Sequence, residues 1–150
     1  MNLNKILSSI FIILSITIIF LLVSGSSLLT ISLNASNSFP SGTLITYIGL
    51  ISLPCAIYFG SKKIRNPENK PYRFLSKFLK TGIFLALLWL PVSYLLAGNF
   101  SFTFSQKNTF QGGQLAMKFF WYFTYSPPIL SVLILLMHLF LITFSNNKRK

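Results

Sequence analysis

The stretch ILSSIFIILSITIIFLLV, residues 6–23, decides the fold class. It holds no charge and no proline, and after Lys5 the next charged residue in the chain is Lys62. A helix crossing a hydrocarbon core of roughly 30 Å needs about 20 largely apolar residues, with about 17 to 25 as the usual range. The stretch fits that range. It is long for the core of a signal peptide, and no small-residue cleavage site follows closely, so it reads as a retained helix.

Three further stretches share its character: residues 43–60 with Pro54, residues 79–97 with Pro91, and residues 126–144. Lys80, at the start of the third, can carry its ammonium to the surface along its own methylene stem. Ser126 stands where it would cap the fourth helix, with Pro127 at the tolerated first-turn position. Of the 150 residues, 53% are hydrophobic and 9% charged; an ordinary soluble domain is about 25% charged. The expectation is an all-α membrane protein, a single domain of four transmembrane helices.

Thirteen Lys and Arg face a single acid, Glu68, for a net charge of +12. Connecting the spans alternately puts Lys5, the seven bases from Lys62 to Lys80, and Lys148, Arg149 and Lys150 on one side, eleven in all. Lys107 and Lys118, two bases, fall on the other. Because Lys and Arg beside helix ends favour the cytoplasm, both termini and the loop 61–80 are expected inside, and the loops 24–42 and 98–118 outside. The aromatic run Phe119, Phe120, Trp121, Tyr122, Phe123 and Tyr125 then meets the outer interface as an aromatic belt would.

The same counts bear on chemistry. One acid cannot supply a carboxylate pair for general acid and base work. One cysteine, Cys55, and one histidine, His138, leave no intrachain disulfide, no structural zinc and no multi-histidine metal site. No enzymatic activity and no cofactor are expected. The spans carry neither an acid nor an interior Lys or Arg, which argues against a secondary transporter. His138 reads as a neutral histidine bonded to a neighbouring helix rather than a proton relay, and Cys55 as inert packing.

In the middle loop, Phe74, Leu75, Phe78 and Leu79 alternate with Arg73, Lys77 and Lys80, so the segment is expected to lie in the inner-leaflet surface before the chain turns into the third span. Membrane lipids explain this basic stripe without nucleic acid. Outside, residues 100–105 (FSFTFS) alternate apolar and polar strictly, and residues 29–33 do so more weakly. That period of two predicts a small outward β-hairpin or sheet capping the helices. Ser52, Ala56 and Gly60, with Gly82 and Ala86, form small-residue rows that favour close packing of the second and third spans. Pro54 and Pro91 are expected to kink their helices near mid-membrane, which serves either packing alone or a groove that a foreign helix enters.

The segment WLPVSYLLAGNFSFTFSQ from Trp89, the basic loop between spans two and three, and the lysine-rich ending FSNNKRK resemble the immunity proteins against pore-forming colicins, those of the colicin A type. The resemblance covers roughly residues 43–150. It implies a multi-pass protein of the bacterial inner membrane that meets the helical hairpin of a pore-forming bacteriocin within the bilayer and holds the channel closed. Phe102, Phe104 and Lys107 on the outer loop, with Trp89 and Tyr94 on the third span, are the residues expected to touch that partner. Two other classes fit the composition: a structural or assembly subunit of a membrane complex and, less well, a small channel or transporter.

Overall fold

The computed structural model describes residues 2–34, 39–101, 104 and 110–147, with side chains through 144. Five α-helices follow in order: α1 (Leu3–Val23), α2 (Ser41–Gly60), the single turn α3 (Lys62–Arg65), α4 (Lys70–Ala97) and α5 (Gly113–Asn147). A short 3-10 turn, Ser27–Thr30, sits between α1 and α2. Four of the helices are long and apolar enough to cross a membrane.

Neighbouring long helices run antiparallel. Ser8, near the start of α1, donates to the Ala56 carbonyl near the end of α2 at 3.0 Å. Tyr47 on α2 donates to the Leu87 carbonyl of α4 at 3.2 Å, and Trp89 Nε1 on α4 donates to Thr124 Oγ1 of α5 at 2.8 Å. α1 packs mainly on α2 and α4 mainly on α5, while α2 also touches both α4 and α5. The helix ends therefore sort into a basic end, with Lys5 and the residues from Lys62 to Lys77, and an opposite aromatic end.

Two apolar clusters hold the bundle. Leu50, Ala86, Trp89, Ala97 and Phe120 fill the half toward the aromatic end, and Ile57, Ile64, Tyr72, Leu75, Leu79 and Ile134 the half toward the basic end. Two of the five small residues face other helices than the expected seam between spans two and three, while Ala86 of α4 is buried in one cluster with Leu50 of α2. A β-carbon on Gly60 would lie 2.9 Å from Ser8 Oγ of α1, and one on Gly82 would lie 3.3 Å from Leu130 of α5. These glycines seat α1 on α2 and α5 on α4.

α5 begins thirteen residues before the expected cap at Ser126 and runs unbroken through Pro127 and Pro128. Instead of capping, Ser126 Oγ donates to the Phe123 carbonyl at 3.1 Å. That carbonyl is the one Pro127, lacking an N–H, leaves without its i+4 partner. α4 likewise starts at Lys70, Pro71 taking the first-turn position, so no turn separates the basic segment from the third span. The two apolar pairs of that segment also part company: Leu75 and Leu79 are buried, while Phe74 and Phe78 are 53% and 41% exposed. The segment belongs to a spanning helix rather than to one lying in the membrane plane.

Among the described residues there is no β-strand, so the expected hairpin is unsupported; residues 102, 103 and 105 of the alternating stretch lie outside the described residues. Leu29 lies in the 3-10 turn, and the one bridge there is an isolated antiparallel contact between Ser32 and Pro40. Phe104 N–H turns back to the Ser101 carbonyl at 2.8 Å. An isolated hairpin this short is marginal by itself in water.

At the basic end, Ser61 closes α2, accepts from the Ile64 N–H at 3.3 Å and lies 3.1 Å from His138 Nε2. The Tyr72 ring meets His138 edge-on, with centroids 5.6 Å apart, and Lys63 Nζ stands 5.8 Å from the Tyr72 ring. His138 therefore joins α5 to the α2–α3 junction and to α4. Cys55 is half-buried and unpaired in α2.

Candidate functional site

The aromatic end is assembled by hydrogen bonds that fix the loops on the helices. Gly98 adopts φ +73 and ends α4 in a left-handed turn, its N–H bonding to the Tyr94 carbonyl. From there Phe100 stacks on Tyr94 with centroids 4.5 Å apart and meets Phe39 edge-on at 5.2 Å. Thr43 Oγ1, at the start of α2, donates to the Phe100 carbonyl at 2.6 Å. Phe104 lies over Gly42, where a β-carbon would come within 2.7 Å of its ring and of the Leu29 carbonyl. Glycine is what lets the 3-10 turn, α2 and the second loop converge.

Of the five residues expected to touch a partner, Tyr94 and Phe104 thus belong to one aromatic patch, with Tyr94 42% exposed. Trp89 does not join them. It is 1% exposed, packs against Tyr47 and Phe120, and ties α4 to α5 inside the bundle. Phe102 and Lys107 lie outside the described residues.

Beside this patch runs a lateral groove of about 220 Å³. Ser15, Ile18, Ile19 and Leu22 of α1 form one wall, Thr46, Gly49, Leu50 and Leu53 of α2 the floor, and Thr124, Tyr125 and Pro128 of α5 the other wall. Each set recurs at helical spacing and so presents one face. Gly49 lets α1 seat on α2 beside the groove: a β-carbon there would lie 2.6 Å from Ile18.

The surface of the groove is almost wholly apolar. Pro54 and Pro128 cannot donate to the carbonyls of Leu50 and Thr124, four residues earlier, and both of these residues line it. Thr46 Oγ1 is buried without a partner. In a membrane such groups have no water to turn to. Pro54 was a sequence signal for this site, since it lies four residues beyond Leu50; Pro91, expected to shape a groove with it, does not line this one, whereas Pro128 does. The inward face of α1 carries its own signal in Ser8 and Ser15, seven residues apart and both buried.

Among the described residues, no group of three or more His, Cys, Asp or Glu could hold a metal ion. No family model, curated protein or solved structure matches the chain. The class defined by fold and site is therefore a coarse one: a helical protein with four candidate membrane spans, an aromatic end and a groove open to the side.

Proposed function

We propose that the protein is an inner-membrane immunity protein that binds the pore-forming domain of a cognate bacteriocin within the bilayer and prevents channel opening. The observation that carries this reading is the lateral groove beside the aromatic patch. Its almost wholly apolar lining suits an apolar helix arriving sideways through lipid. The eleven-to-two distribution of bases supports an orientation with the basic end in the cytoplasm and the aromatic end outside, where such a toxin enters. The resemblance of residues 43–150 to the colicin A type immunity proteins supports the same role.

The test starts from the DNA flanking the gene. A neighbouring reading frame encoding a helical domain with a long uncharged hairpin supplies the toxin for a survival assay in a sensitive strain. Cells producing this chain should survive that toxin. Ile19→Trp, placed at an exposed position on the groove wall, should abolish survival while insertion is retained. Unprotected cells with the wild-type chain in the membrane, or a flanking operon of membrane-complex or transport genes, would overturn the proposal.

A further inference from the structure

α4 has 28 residues, about 42 Å of helix at 1.5 Å per residue, against a hydrocarbon core of roughly 30 Å. With Ala97 at the boundary of the aromatic end, the core is used up near Phe78, and residues 70–77 stand at headgroup depth. What they carry there is specific. Lys70, Arg73, Lys77 and Lys80 recur at spacings of three and four along one face and are all exposed. Tyr72, Leu75, Ser76 and Leu79 turn inward on the opposite side. Phe74 and Phe78 flank the bases, their rings packed on each other with centroids 4.3 Å apart.

We infer that this face of α4 binds the phosphate headgroups of anionic phospholipids in the leaflet that the basic end meets, with the Phe74–Phe78 pair lying against the adjoining acyl chains. Three observations converge on that occupant. The chain's only acid is Glu68, before α4 begins, so no carboxylate on this face can neutralise the four bases and the counter-charge must come from outside. The excess length of α4 sets those bases at the level of lipid phosphates, and Lys80, about a turn deeper than Lys77, reaches that level along its stem. An exposed aromatic pair directly beside the bases matches a ligand that is anionic at one end and apolar at the other. Juxtamembrane bases draw anionic lipid by about fivefold each. The inference needs only that α4 spans a membrane, and does not depend on the immunity reading.

The full chain in phosphatidylcholine vesicles, probed by electron paramagnetic resonance with nitroxide-labelled phosphatidylglycerol or phosphatidylcholine, tests it. Labelled phosphatidylglycerol should associate several-fold more strongly than phosphatidylcholine, and the preference should shrink as salt is raised. Arg73→Gln, Lys77→Gln and Lys80→Gln together should bring the two lipids close to equal association. The charge-preserving Arg73→Lys, Lys77→Arg and Lys80→Arg should keep it. Circular dichroism confirms that each protein is folded and inserted. Equal association of both lipids with the wild type, or full preference in the glutamine variant, would overturn the inference. So would retention of a single-stranded oligonucleotide by the same bases without any lipid preference, which would make this a nucleic-acid face.

Discussion

Tyr47→Phe isolates a single interaction at a proline. Pro91 has no N–H, so the Leu87 carbonyl lacks the donor that an ordinary residue at 91 would supply. The Tyr47 hydroxyl of α2 fills that vacancy at 3.2 Å, while its ring stacks on Trp89 with centroids 6.3 Å apart. Phenylalanine keeps the ring and removes only the donor. A buried acceptor left unpaired costs about 1 to 3 kcal/mol, but side-chain hydrogen bonds within membranes average about 0.6 kcal/mol because alternative partners are found. The 3.2 Å distance places this bond toward the weaker end, whereas the lack of water beside it acts the other way. The expected loss is about 1 kcal/mol, roughly a fivefold change in the folded-to-unfolded ratio. Denaturant unfolding in lipid–detergent mixtures measures it, and Pro91→Ala supplies the decisive comparison. With alanine at 91 a backbone N–H can reach the Leu87 carbonyl, so Tyr47→Phe should then cost almost nothing. A loss from Tyr47→Phe that is the same in both backgrounds would refute the reasoning, because the hydroxyl would then be doing something other than satisfying a proline-freed carbonyl.

Gly42→Ala should loosen the aromatic end, since the new methyl would press within 2.7 Å of the Leu29 carbonyl, a backbone atom that cannot swing aside. The expected cost is about 1 to 3 kcal/mol, read by thermal unfolding together with faster proteolysis near the loops. Trp89→Phe should cost about 2 kcal/mol by denaturant unfolding, combining a smaller ring in a fully packed position with the loss of the Thr124 hydrogen bond. Thr124 keeps its own bond to the Phe120 carbonyl at 2.7 Å, so the loss should stop short of leaving a free hydroxyl donor.

The four apolar helices were legible because the energetic demand behind them is crude. A stretch such as residues 6–23 has no alternative environment that pays for its burial, whichever neighbours it has. Their ends were less legible, because a helix stops where its backbone groups find other partners. Ser126 followed by Pro127 has the composition of a helix start, yet the residues before it form helix equally well and Ser126 itself repairs the carbonyl that Pro127 frees. The alternation in residues 100–105 finds no strand among its described members, Phe100, Ser101 and Phe104. Phe100 had Tyr94 and Phe39 within reach, and those contacts do not require a strand.

The site was legible only in part, and the prolines show where the limit lies. Pro54, Pro91, Pro127 and Pro128 each subtract a backbone donor inside a helix, and their positions can be read from the sequence alone. What the sequence does not display is which subtraction is repaired. Pro91 is answered by Tyr47 from across the bundle, 44 residues away in the chain, and Pro127 by the adjacent Ser126. The Leu50 and Thr124 carbonyls freed by Pro54 and Pro128 instead belong to residues that line the groove, beside the unpaired Thr46 hydroxyl. At Pro91 the repair comes from another helix and so ties α2 to α4, whereas at Pro127 it stays within α5. A proline therefore contributes to tertiary structure only where a side chain of a neighbouring helix reaches the carbonyl it frees, and nothing in the local sequence marks that neighbour.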